Sequence, residues 1–142
     1  MALIVDSGGV YALYDTSDRH HAAARAVLRK ERGPIIVPMA VLGELDCLLR
    51  EFLSINAELD FLEAVASGAF TLEPLTPVDV ARCRELITTY RGLDLGLTDA
   101  AVMATAERLG VDRILTVDER HFSAVRSKSG KPFVILPADA RR

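Results

Sequence analysis

Residues 2–9 read ALIVDSGG: four apolar side chains in a row, a carboxylate at Asp6, then a hydroxyl and two glycines. Residues 113–118, RILTVD, repeat the arrangement and close on Asp118. Apolar runs without polar alternation suit strands of a parallel sheet covered on both faces. An acid directly after such a run stands at the strand's C-terminal end, where parallel sheets gather their ligands. If the two strands are central neighbours, Asp6 and Asp118 share one edge of the sheet. Buried acids are costly unless something pairs with them, so the same two stretches raise the question of fold and the question of function.

Working outward, five strands are predicted over Ala2–Val5, Ile35–Val37, Phe70–Leu72, Arg113–Val117 and Phe133–Leu136, with prolines 34, 38, 74, 132 and 137 at their ends. Helical spacing fills the intervals. Residues 15–31 carry Ala and Leu at that spacing behind candidate N-caps Asp15, Thr16, Ser17 and Asp18. Residues 39–53 place Val41, Leu42, Leu45, Leu48, Leu49 and Phe52 on one broad face. Residues 56–67 stop at Gly68, a further helix begins after Pro77, and residues 97–109 stop at Gly110. Strands alternating with helices predict an α/β fold, a three-layer α/β/α sandwich around a mainly parallel five-stranded sheet. The whole of residues 1–142 is expected to be one domain, a length that buries a core without disulfide or metal.

Composition narrows the classes. Half the residues are hydrophobic, about a quarter are charged, and seventeen basic against twenty acidic residues give a net charge of −3. Bulk electrostatics therefore do not mark a nucleic-acid binder, although metal ions neutralising clustered carboxylates make the working surface less acidic than the count. No apolar run reaches the roughly 18 residues of a membrane span, and no signal segment is read at the N-terminus. Cys47 and Cys83 are expected to be reduced core thiols in a cytoplasmic protein. The basic stretch RSKSGK, residues 126–131, reads as a solvated turn.

Two further acids are oddly placed. Asp99 shares a helical stripe with Val102, Met103 and Ala106, close to a helix N-terminus whose dipole favours a carboxylate. Glu44 has Ala40 and Val41 one turn before it and Cys47 and Leu48 one turn after. Asp46, Arg50, Glu58 and Glu63 can all point outward. Each odd acid has an ordinary reading alone: a turn cap for Asp6 or Asp118, an N-cap for Asp99, a stripe edge for Glu44. Together, four such acids repel one another unless a cation sits among them. Oxygen ligands without clustered Cys or His select hard cations such as Mg²⁺ or Mn²⁺. Carboxylates holding such ions cleave phosphodiesters with no protein nucleophile. No Ser-His-Asp or Cys-His arrangement can be assembled, and His20 and His21 read as solvated or RNA-facing.

The ordered set LIVDSGG, VLGEL, LDLGLTDAAVMATAERLG and ILTVDERHF resembles the PIN-domain nucleases, and among them the VapC toxins of type II toxin–antitoxin modules. The resemblance covers nearly the whole chain. It implies an acidic quartet of Asp6, Glu44, Asp99 and Asp118 that binds Mg²⁺ or Mn²⁺ for endoribonucleolytic cleavage. Ser7, Thr98 and Thr116 are the auxiliary hydroxyl candidates, Asp94 is more simply a helix cap, and Phe122 is assigned to the core. The resemblance also implies a structured RNA substrate (tRNA or ribosomal RNA), a homodimer, and inhibition by a VapB-type antitoxin. Arg19, Arg25, Arg91, Arg120 and Arg126 are the candidate phosphate contacts.

Rival readings are separable. A haloacid-dehalogenase-type phosphatase needs a second Asp two residues after the first, where this chain has Gly8. A receiver domain needs an acid at another strand end, and IIVP supplies none. A housekeeping PIN nuclease without an antitoxin remains an alternative, as does an inactive scaffold that binds RNA or protein.

Overall fold

The computed structural model describes residues 1–141. Strands β1 (Leu3–Val5), β2 (Ile35–Pro38), β3 (Thr71–Glu73), β4 (Arg113–Leu115) and β5 (Val134–Leu136) form one sheet in the order β3-β2-β1-β4-β5. Every neighbouring pair is parallel. Helices α1 (Ser7–Tyr14) and α2 (His21–Lys30) connect β1 to β2, and α3 (Leu42–Phe52) and α4 (Ile55–Ala66) connect β2 to β3. Helices α5 (Pro77–Thr89) and α6 (Leu97–Leu109) carry the chain back to β4, and α7 (Glu119–Ala124) precedes β5.

The chain moves outward from β1 in one direction and then returns to continue in the other. Right-handed crossovers therefore place α1–α4 on one face and α5–α7 on the opposite face. Helix contacts follow that division: α1 packs on α2 and α3, α3 on α4, α5 on α6, and α6 on α7. Central β1 has all three residues fully buried, as a strand covered on both sides must. Every residue of α6 from Ala100 to Ala106 is buried as well, and α5 fixes that helix from outside. Arg82 Nε donates to Glu107 Oε2 at 2.8 Å, and Arg108 Nε donates to Asp79 Oδ1 at 2.9 Å. These pairs anchor the C-terminal end of α6, and burial of Ala100–Ala106 fixes the rest of the helix that carries Asp99.

The strands lie where the apolar runs put them, and Gly68 and Gly110 end their helices with φ of 85° and 66°. Four expectations need correction. Helix α2 begins at His21, because the preceding acids tie up the backbone as turns: Ser17 N–H donates to Asp15 Oδ1 at 3.0 Å and His20 N–H to Asp18 Oδ1 at 2.7 Å. The His21 ring is also held, its Nδ1 lying 2.8 Å from the Ala12 carbonyl oxygen, so it is not simply solvated. Cys47 is exposed while Cys83 is buried. The inward stripe of α3 is Val41, Leu45 and Leu49, and a residue two past Leu45 turns away from it. Glu58 is buried, and hydrogen bonding with Asp46 raises its carboxyl pKa.

Two elements have no counterpart in the sequence reading. Helix α1 spans the SGG turn, although glycine is a poor helix former. A Cβ on Gly9 would lie 2.3 Å from the Leu115 carbonyl oxygen, so the glycine admits the close approach of α1 to β4. Helix α7 occupies ERHFSA, with Phe122 fully buried as assigned.

Candidate active site

Sheet register assembles the site. Val5 of β1 stands opposite Leu115 of β4, so the next residues, Asp6 and Thr116, meet side by side just past the strand ends. Asp6 N–H donates to the Leu115 carbonyl at 2.9 Å, and Thr116 Oγ1–H donates to Asp6 Oδ2 at 2.9 Å. The same hydroxyl oxygen accepts from Asp118 N–H at 3.0 Å. One threonine thus bridges the two strand-end acids. Between β1 and β4 the strand order reverses direction, which makes this edge the crevice of a parallel sheet.

Asp6 is 5% exposed, and its Oδ1 is buried with no hydrogen-bond partner. Burial pushes its pKa from an ordinary 3.8 to about 6, with the Asp99 and Glu44 charges adding and the Thr116 hydroxyl opposing. Glu44, exposed in the first turn of α3, is held by Ser7 at the start of α1, whose Oγ–H donates to Oε1 at 3.1 Å. Asp99 lies half-buried in the first turn of α6. Burial raises its pKa, as do the charges of Asp118 and Glu44, while His121 opposes. Asp118 caps α7, with Oδ1 accepting from His121 N–H at 3.0 Å.

The four predicted acids therefore converge from four elements: the ends of β1 and β4, α3 on one face and α6 on the other. Two of them crowd most closely. Asp99 and Asp118 draw together with His121, their ligand atoms all within 4.8 Å. Asp6 and Glu44 lie outside that tightest group. Of the auxiliary hydroxyls, Ser7 and Thr116 touch acids, whereas Thr98 makes no side-chain bond to one among the described residues. Asp94 is exposed and ends a 3-10 turn (Arg91–Leu93) in the left-handed region, with φ 55°. Arg19, Arg25, Arg91, Arg120 and Arg126 are all exposed. Among the described residues none of these arginines pairs with a quartet acid; Arg126 binds the Ser123 carbonyl and Arg19 the His20 ring.

His121 is the residue that sequence reasoning missed. Its Nδ1 lies 2.6 Å from Asp118 Oδ2 and 3.5 Å from Asp99 Oδ2, and its Nε2 is 2.7 Å from the Leu93 carbonyl oxygen. Hydrogen bonding to Asp118 raises its pKa. The signal was present: His121 follows Asp118 by three residues, the spacing of neighbours on one helical face, but only once ERHFSA is recognised as a helix.

The residues fit a divalent cation. An anionic, oxygen-rich donor set is the chemistry hard cations take, and the orphaned Asp6 Oδ1 is a buried acceptor that a protein without such an ion leaves unsatisfied.

This chain belongs to the PIN-domain family, whose sequence model matches residues 3–128. Within the family its likeness is to the VapC group: it is 31% identical over 135 residues to Ribonuclease VapC26 of Mycobacterium tuberculosis (strain ATCC 25618 / H37Rv), covering 95% of this chain and all of that protein. The fold matches the crystal structure of M. tuberculosis VapC20, a sarcin–ricin loop cleaving toxin, with TM-score 0.76 and 20% identity over 82% of this chain and 89% of that one. A toxin–antitoxin complex from Klebsiella pneumoniae contains a chain that superposes with TM-score 0.68 at 18% identity, covering 87% and 92%. No helix among the described residues is long and apolar enough to cross a membrane.

Proposed function

We propose that this protein is a metal-dependent endoribonuclease toxin of the VapC kind. In this reading Asp6, Glu44, Asp99 and Asp118 hold Mg²⁺ or Mn²⁺, and the enzyme cuts a phosphodiester bond in structured RNA, either tRNA or ribosomal RNA, to block translation. The observation that carries the reading is the convergence of the four acids at the β1/β4 crevice, with one buried Asp6 oxygen left without a partner. The family membership and the ribonuclease relative support the same conclusion.

Held by Asp6, Glu44, Asp99 and Asp118, such an ion would polarise the phosphate, make an attacking water more acidic and neutralise charge on the leaving oxygen. This chain's own residues set the geometry. Thr116 occupies Asp6 Oδ2 and so leaves Oδ1 as the free donor. Ser7 holds Glu44 towards the crevice from the opposite side. The α6 dipole places its positive end beside Asp99 and lowers the cost of collecting negative charge there. Exposed arginines, Arg19, Arg25, Arg91, Arg120 and Arg126, are available to phosphates flanking the cut, which makes RNA affinity fall with added salt.

A VapB-type antitoxin is the second half of the proposal, together with a homodimer of the toxin. Ile55, Leu59 and Leu62 form an exposed stripe on α4, and Phe52 at the end of α3 is 64% exposed. Four large apolar side chains left in water at one helical hairpin support a protein partner there. Asp6→Asn in the purified full chain tests the enzymatic half. Mg²⁺- or Mn²⁺-dependent cleavage of total RNA is expected to fall at least ~100-fold, and cleavage at the wild-type rate contradicts the assignment.

A further inference from the structure

The geometry points to His121 as a nitrogen ligand of the divalent ion, which makes the site a mixed carboxylate–imidazole centre that favours Mn²⁺ over Mg²⁺. This rests on the metal-dependent reading above and adds to it a ligand outside the acidic quartet.

Three observations carry it. First, among the described residues Asp99, Asp118 and His121 form the group whose ligand atoms crowd into a space one ion spans, all within 4.8 Å. Second, the ring orientation is fixed from behind. Nε2 lies 2.7 Å from the Leu93 carbonyl oxygen, and a carbonyl only accepts, so Nε2 carries a hydrogen. Without an ion, Nδ1 also carries a hydrogen, donated to Asp118 Oδ2 at 2.6 Å; an ion taken up between Asp118 and Asp99 would displace that proton to solvent and leave the Nδ1 lone pair directed at the same space. A ring N–H donated to a backbone carbonyl is how metal-ligating histidines are held. Third, Asp6 Oδ1, buried and without a partner, belongs to the same crevice, where the Asp99 charge acts on its carboxyl. An ion among Asp99, Asp118 and His121 gives that oxygen a positive neighbour.

The backbone prepares this arrangement independently of any ion. The Asp118 cap on α7 places His121 one turn along the helix. The 3-10 turn Arg91–Leu93, just before α6, presents the Leu93 carbonyl on the far side of the ring. The ring is therefore clamped between the elements that deliver Asp99 and Asp118.

Ion preference follows from donor chemistry. Mg²⁺ keeps an octahedral shell of oxygens and waters and gains little from an imidazole. First-row transition ions bind nitrogen donors more tightly. Loss of the ring should therefore weaken Mn²⁺ binding about tenfold or more, while Mg²⁺ binding changes less than about threefold.

Pulsed electron paramagnetic resonance of the Mn²⁺-loaded full chain is the test, with free Mn²⁺ and Mg²⁺ titrated in parallel into wild type and His121→Gln. A nitrogen hyperfine coupling from one imidazole in wild type, lost in His121→Gln together with selective loss of Mn²⁺ affinity, is the expected result. Bound Mn²⁺ with only oxygen and water couplings overturns the proposal and leaves the carboxylate nuclease standing. A nitrogen coupling that survives in His121→Gln, or equal loss of both ions, also overturns it. Failure of wild type to bind Mn²⁺ at all overturns both readings. The wild-type spectrum decides the presence of nitrogen even if the variant fails to fold.

Discussion

Asp6 concentrates the chemistry of the site in one side chain. Its pKa of about 6 means that, without an ion, the folded chain holds a proton there that the unfolded chain releases near 3.8. Stability from this group is therefore fully present below pH 4 and is lost as pH rises through 6. The loss at pH 7 is on the order of 3 kcal/mol. Asp6→Asn removes that dependence. Between pH 5 and 7 in chelator, the melting temperature of wild type should fall relative to Asp6→Asn, and saturating Mn²⁺ at pH 7 should restore it; parallel curves for the two proteins contradict the account. Thr116 opposes the raised pKa by donating to Asp6 Oδ2. Thr116→Val should therefore raise it further, shifting the acidic limb of the cleavage–pH profile upward. An unmoved limb with reduced rate would assign Thr116 a packing role only.

Two elements show where sequence periodicity stops being informative. Strands β1 and β4, with their terminal acids, were legible because uninterrupted apolar runs suit central parallel strands. Helices α4 and α6 were legible from stripes ended by Gly68 and Gly110. Helix α1 was not, because residues 7–9 resemble a turn by local propensity, and its cause is tertiary: Gly9 faces the Leu115 carbonyl across a gap that no Cβ fits. Gly9→Ala is expected to cost about 1–3 kcal/mol, read as a lowered denaturation midpoint, and to reduce cleavage by displacing Ser7 and Asp6 together. Helix α7 is six residues long, too short to show a period, and His121 was missed with it. Exposure of Cys47 was hidden because six apolar residues on one broad face did not single out the narrow Val41, Leu45 and Leu49 stripe, and burial of Glu58 because it depends on α4 meeting Asp46 of α3. At the same hairpin, Leu59→Asp should weaken antitoxin binding at least ~10-fold by calorimetry while leaving RNA cleavage by the free toxin unchanged. Undiminished binding removes that stripe from the interface.

At the scale of the whole molecule, the catalytic proposal depends on topology. The acids are separated by up to 112 positions in sequence, from Asp6 to Asp118, and meet because the strand order turns back at β1/β4. Sequence alone located the acids by their odd placement: two at strand ends, one on an apolar stripe, one at a stripe's border. It did not show that Asp99 and Asp118 crowd together with His121. That crowding follows from how α6 and α7 dock, and the ion pairs that tie α5 to α6, Arg82–Glu107 and Arg108–Asp79, join positions 25 and 29 apart that no sequence pattern pairs. The most direct test is an anomalous difference map from crystals of the wild-type chain grown with Mn²⁺. The account predicts a peak in the β1/β4 crevice about 2–2.5 Å from carboxylate oxygens of the quartet. A well-ordered crevice with no peak, or a peak elsewhere in the molecule, would contradict it.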